Sequence, residues 1–298
     1  MQEFKFLIKF KMSYYAVIGL NKEPFSTSPD PNFFYESSEH RAALMRLVIE
    51  IRLKRGLSVV LGDVGTGKTT LSRKLFQMLK ERDDVIFHMI LDPTFDSEEI
   101  FLDSLVRTFK IEINNLKPTV LDYKEAIKRY LFEQGAEQNR TIVLLIDEAQ
   151  KLNSLSLEAL RMLLNYETNE FKLLQLVILG QMELLPRLTE VRNLIDRVSL
   201  LYTLTPFGIE ETKEMIEFRV RQAGYRGREK LFSESAIREV FKYTEGYPRR
   251  IGMLCHKALK LLVMKNKPIV DNEIIKELIE HEANLRWQKT NLLLKNSY

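Results

Sequence analysis

The chain has 298 residues, 45% apolar and 29% charged, which excludes a disordered protein and leaves room for one large α/β domain and a smaller one. One cysteine excludes an internal disulfide, and with only four scattered histidines the usual zinc clusters cannot be built, so a reducing cytoplasm is the expected compartment. The net charge of +4 is weak but uneven: from Gly208 onward 18 Lys and Arg face 13 Asp and Glu, compatible with DNA or another acidic partner, or simply with a solvated helical surface.

Residues Met1 to Lys11 interleave lysines and a glutamate with aromatics and make a poor signal peptide, so the native start lies at Met1 or at Met12. No run reaches the roughly eighteen apolar residues needed to cross a bilayer, and membrane insertion is not expected. Pro24 to Tyr35 is an aromatic connector in which three prolines exclude a helix. Ser37 or Ser38 then caps a helix to about Lys54 with an apolar face.

Strands and helices alternate next. Leu57–Leu61 reads as a short strand, followed by a glycine loop and a helix to about Glu81. Val85–Leu91 is strand-like, Asp96 or Ser97 caps a helix to about Thr108, and Val120–Gln138 is a further helix. Thr141–Ile146, Leu173–Gly180 and Ser199–Thr205 read as buried strands, with a helix over Ser154–Glu167 between the first two. This alternation predicts a parallel sheet covered on both faces. After Pro206 strands stop, and Ile209–Ala223, Ser233–Thr244, Pro248–Met264 and Asn272–Ala283 read as amphipathic helices, with a frayed tail from Leu285.

Gly62-x-x-x-x-Gly67-Lys68-Thr69 matches the P-loop pattern in full. Its glycines let the backbone of Gly62, Asp63, Val64, Gly65, Thr66 and Gly67 curl so that N–H groups point at phosphate oxygens. The following helix presents its positive end to the same anion. Lys68 supplies a mobile cation for the β and γ phosphates of ATP, and Thr69 a hydroxyl ligand for magnesium. Asp147 and Glu148 follow a buried strand directly, where parallel sheets place their ligands. Asp147 is expected to hold magnesium, and Glu148 to orient and deprotonate the attacking water.

Gln181, just after another buried strand, is a candidate bridge between γ-phosphate and water. Arg192 and Arg197 are candidates for a guanidinium donated to a neighbouring subunit, with Arg197 preferred. Arg249, in Gly246-Tyr247-Pro248-Arg249-Arg250, is the candidate reporter of nucleotide state in the helical lid, ahead of Arg250. Phe33, Phe34 and Tyr35 either cover the adenine or pack. Cys255 and His256 read as structural.

With these residues in place, the chain resembles the AAA+ ATPases of the general secretion pathway protein A type, from Tyr14 to about Ala283. The matching pieces are Pro24-Phe25, Pro29-Asp30-Pro31-Asn32-Phe33-Phe34-Tyr35, Gly62 to Leu71, Leu145 to Gln150, Leu163 to Thr168, Leu179-Gly180-Gln181-Met182-Glu183-Leu184 and Gly246 to Arg249. The P-loop is shared by many families; the aromatic connector and the Gly-Gln-x-Glu-Leu segment are more particular. The resemblance implies a five-stranded parallel core sheet followed by an all-α lid, with Gly62–Thr69 and Thr70 as the ATP cradle and Asp147–Glu148 as the acidic pair. It also implies a sensor near Gln181, an arginine finger at Arg192 or Arg197, a second sensor at Arg249, and nucleotide bound between subunits of a homo-oligomer.

The segments expected are 1–55 for the extension, connector and first helix, 56–207 for the core, 208–283 for the lid and 284–298 for the tail. The secretion proteins continue into a transmembrane segment and a peptidoglycan-binding domain, whereas this sequence stops after the lid. It thus also resembles short stand-alone members similar to transposition ATPases of the TnsC and MuB kind. The expectation is a Mg-ATP-dependent ATPase that drives or regulates assembly of a secretion-type complex; the alternative is an ATP-dependent DNA-binding regulator that recruits a transposase. A nucleotide switch without turnover is disfavoured, because it needs no base at Glu148.

Overall fold

Leu57–Gly62 and Leu174–Gly180 are buried at every residue, and Thr141–Ile146 at all but the first, as strands covered on both faces require. The structure is a computed structural model describing residues 13–26 and 31–295, with side chains for 13–26 and 32–284. The 1–11 extension, Pro29 and Asp30 of the aromatic connector, and the tail side chains beyond Asn284 lie outside the described residues.

In chain order, α1 (Tyr14–Val17) precedes α2 (Ser38–Arg52), β1 (Leu57–Gly62), α3 (Lys68–Leu79) and β2 (Val85–Ile90). Then come α4 (Glu98–Phe109), α5 (Val120–Phe132), β3 (Thr141–Ile146), α6 (Ser154–Leu163) and β4 (Leu174–Gly180). The short α7 (Leu184–Glu190) leads to β5 (Val198–Leu204), and α8 (Ile209–Gln222), α9 (Glu234–Thr244), α10 (Pro248–Met264) and α11 (Asn272–Lys295) follow. The chain divides into two compact units: Ser38–Thr205, and the residues through Ser37 together with those from Pro206 onward. Helix α2 therefore belongs to the α/β unit, and the aromatic connector to the helical one.

In the α/β unit all five strands are parallel, in the order β2-β3-β4-β1-β5. Leu61 pairs with Gly180, and Ile146 with Ile178, so β1, β4 and β3 end nearly level. The segments after these strands, which carry the P-loop, Gln181 and Asp147, therefore emerge along one rim. Buried Gln175 holds the start of β4, accepting from the Gly56 N–H at 2.9 Å and donating to the Lys172 carbonyl at 2.7 Å.

Three expectations change. β5 is not buried on both faces: it lies at the sheet edge, where Leu200 and Leu204 are buried while Ser199, Leu201 and Thr203 are exposed. Its covered face meets α2, with the Tyr202 hydroxyl donating to Glu39 at 2.6 Å. The helix expected over Val120–Gln138 is α-helical only to Phe132 and continues as a π-turn over Glu133–Glu137. Gly135 there is buried, and a Cβ would come 3.1 Å from Leu173. The tail expected to fray from Leu285 continues α11 to Lys295.

The helical unit buries Ile216, Ile237, Leu254, Leu259 and Ile275 from α8 to α11 in one core. Its apolar stripes follow the 3.6-residue period read in the sequence. Gly246 (φ 77°) lies against the Phe207 backbone, where a Cβ would fall 2.0 Å from the carbonyl oxygen; only glycine fits there. Among the described residues no helix is long and apolar enough to cross a membrane.

Candidate active site

The loop after β1 turns sharply enough that Gly65 and Gly67 adopt φ of 90° and 102°. These left-handed conformations cost little for glycine alone. Space is restricted as well: a Cβ on Gly62 would lie 2.8 Å from Thr66 Oγ1 and 2.9 Å from the Leu204 carbonyl, and one on Gly67 2.6 Å from His40 Nε2. Two hydrogen bonds brace the loop. The Thr66 hydroxyl donates to the Asp63 carbonyl at 2.9 Å, and His40 Nε2 on α2 donates to the Thr66 carbonyl at 3.0 Å. His40 and Thr66 are buried, while Val64 at the loop tip is 57% exposed.

Lys68 opens α3 with its ammonium folded onto the loop, donating to the carbonyls of Gly62 (2.7 Å) and Asp63 (3.0 Å). Burial pulls its pKa below the usual lysine range, against the charges of Glu148, Asp147 and Asp63, which favour the cation. Thr69, one residue on, hydrogen-bonds the Asp147 carboxylate at the end of β3. Asp147 is 1% exposed. Burial pushes its pKa up, while the bonds from Thr69 and from the Glu148 N–H (2.9 Å) and the nearby Lys68 hold it down. The loop, Thr69, Asp147 and Glu148 are thus brought together although β4 separates their parent strands.

Glu148 itself has a left-handed backbone (φ 52°). Its Oε2 accepts from Gln150 Nε2 at 2.5 Å, and Gln150 Oε1 accepts the Gln181 N–H at 3.1 Å. Arg187 on α7 donates to the carbonyls of Gln150 and Leu152. His40, Gln150 and Arg187 are absent from the candidates read from sequence. Gln150 had a local signal, lying within two residues of Glu148; His40 and Arg187 had none.

Arg192 is exposed. Arg197 ends a 3₁₀ turn, Ile195–Arg197, is partly buried, and its buried Nε has no hydrogen-bond partner among the described residues. Arg249 is exposed in the first turn of α10, whereas Arg250 is engaged by Glu245 (2.9 Å) and lies over the Tyr247 ring. Of the connector aromatics, Phe33 is buried in the helical core, and Tyr35 packs against Phe207 and Phe218 with its hydroxyl donating to Glu214. Phe34 is half-buried.

Residues 51–188 match the AAA domain family. General secretion pathway protein A of Aeromonas hydrophila is 34% identical over 248 residues, covering 83% of this chain and 44% of that protein. An uncharacterized HTH-type transcriptional regulator of Methanocaldococcus jannaschii is 26% identical, with coverage of 80% and 59%. The chain thus spans about half the length of these relatives. Among solved structures, Cdc6p from Pyrobaculum aerophilum superposes with a TM-score of 0.63 at 17% identity, covering 83% of this chain and 67% of that one. Drosophila ORC bound to DNA gives 0.62 at 19%, covering 89% and 65%. The Thermotoga maritima RuvB motor gives 0.53 at 16%, covering 80% and 68%. The family match over residues 51–188 and the 34% identity over 83% of the chain agree, and the α/β core of this protein belongs to the AAA+ ATPase family.

Proposed function

We propose that this protein binds and hydrolyses Mg-ATP in the cytoplasm and uses the cycle to drive or regulate assembly of a larger, secretion-type complex. The observation that carries the reading is the meeting of Thr69 with buried Asp147, beside Lys68 and Glu148. A carboxylate whose charge burial disfavours, facing a hydroxyl, is a donor set suited to a hard divalent cation. Thr69 and Asp147 would hold magnesium, which when bound offsets phosphate charge.

The chain's own groups do the rest. Backbone N–H groups from Gly62 to Thr70 cradle the phosphates, and Lys68 turns from the loop carbonyls to the β and γ oxygens. Glu148 orients the attacking water and takes its proton; Gln181 contacts water or γ-phosphate. Arg197 or Arg192 of a neighbouring copy stabilises charge on the transferring phosphoryl group, and Arg249 reports nucleotide state in the lid. Nucleotide then lies between subunits of a homo-oligomer. The secretion-type role is supported by 34% identity to general secretion pathway protein A.

A second reading, a DNA-binding regulator that recruits a transposase, is favoured by the basic excess from Gly208 onward. The relative named as a transcriptional regulator also supports it. ATP turnover with and without duplex DNA, over a salt series, separates the two. Stimulated turnover with salt-sensitive, ATP-dependent DNA binding selects the second reading; no response to DNA leaves the first. Intact ATP binding without turnover in any oligomeric state would overturn both as enzymes.

A further inference from the structure

The Gln150 side chain is bonded at both ends of its amide. Nε2 donates to Glu148 Oε2 at 2.5 Å, and Oε1 accepts the Gln181 N–H at 3.1 Å. Only this orientation works: reversed, the amide would set its oxygen against a carboxylate and its NH2 against an N–H. The segment that carries it is held from two sides. Arg187 donates to the carbonyls of Gln150 and Leu152, and Gly180 lies so close that a Cβ would come 3.4 Å from the Gln150 nitrogen and 2.6 Å from Leu184. Glu148 needs such support, since a left-handed backbone in a non-glycine residue persists only where its surroundings hold it.

We infer that Gln150 is a positioning residue that aims the Glu148 carboxylate and ties it to the backbone at the end of β4. One carboxylate oxygen is anchored by the amide, which leaves Oε1 for the attacking water. Because the other end of the amide is bonded to Gln181, a shift of that segment on contact with the γ-phosphate moves the base with it. The inference rests on the reading of Glu148 as the base and adds the residue that couples it to the neighbouring strand.

Two substitutions in the full chain separate positioning from loop structure. Gln150→Met keeps the length and removes both bonds. Gln150→Glu still accepts the Gln181 N–H but sets a carboxylate against Glu148. Both variants are expected to lose about ten- to a hundred-fold in kcat, the range a displaced catalytic group produces. KM and the affinity for N-methylanthraniloyl-ATP should stay within about two-fold of wild type, as for an interaction used only in the transition state. Normal kcat in Gln150→Glu, whatever Gln150→Met does, would confine Gln150 to a loop contact and overturn the inference, as would a rise in KM at constant kcat. Glu148→Gln in the same series tells the two claims apart. An inactive Glu148→Gln beside a silent Gln150→Glu removes this inference alone, whereas an active Glu148→Gln removes the base and the inference together.

Discussion

Replacing His40 with leucine probes how the phosphate loop is held. Leucine keeps roughly the volume of the imidazole and removes the donor to the Thr66 carbonyl, a bond of 3.0 Å between residues that are 1% and 0% exposed. Leaving a buried carbonyl unpaired costs roughly 1–3 kcal/mol. A domain the size of the α/β unit loses about 2–4 °C in Tm per kcal/mol, so the nucleotide-free protein should melt roughly 2–12 °C lower. A loosened loop must be reordered when phosphate binds, and 1.4 kcal/mol is tenfold in affinity; ATP binding is therefore expected to weaken by about one to two orders of magnitude. Thermal melts followed by circular dichroism and ATP titration by calorimetry read the two effects. His40→Gln, which restores an N–H donor, should recover part of both. Unchanged Tm together with unchanged ATP affinity in His40→Leu would refute the idea that α2 braces the loop.

Gly67→Ala should weaken ATP binding more than tenfold, because φ of 102° and a Cβ 2.6 Å from His40 Nε2 both oppose it; calorimetry of Gly67→Ala with and without His40→Ala separates the clash from the backbone strain, the clash part returning in the double variant. His88 is held neutral by burial, its pKa pushed down to about 4 from 6.5. The unfolded chain takes up that proton first, so the stability this residue contributes is present above pH 6.5 and is lost as the pH falls toward 4. Urea unfolding at pH 7 and pH 4.5 should show wild type losing roughly 2–3 kcal/mol more than His88→Gln, since each pKa unit is 1.36 kcal/mol. Cys255 is fully buried and burial pushes its thiol pKa up, so an aromatic disulfide reagent should label it only under unfolding conditions; rapid labelling of native protein would contradict its place in the helical core. With an arginine finger supplied by a neighbour, turnover per subunit should rise with protein concentration, and Arg197→Ala or Arg192→Ala should abolish the rise. A flat profile across the oligomerisation range would count against either arginine in that role.

Much of the core was legible because its signals are local. Leu57–Leu61 reads as a short apolar strand and Thr141–Ile146 as a buried one from their composition, and the structure reproduces them to within a residue. Gly62, Gly67, Lys68 and Thr69 form their loop from backbone needs that a short segment states by itself. Ser97 caps α4 by accepting from the Ile100 N–H at 3.2 Å, three residues away.

What stayed illegible depends on strand order and on partners distant in the chain. β5 is as apolar in composition as an interior strand, but only the order β2-β3-β4-β1-β5 places it at an edge with one face uncovered. His40 reaches Thr66 across 26 positions, Gln150 meets Gln181 across 31 and Arg187 meets Gln150 across 37, and no local pattern records such pairings. The sequence by itself determined the glycine loop after β1, the adjacent carboxylates after β3 and the switch from alternating strands to helices, because backbone freedom, charge and periodicity act over a few residues. The tertiary structure decided which groups brace that loop and what holds Glu148, because a buried hydrogen bond is made only where packing brings donor and acceptor together away from water.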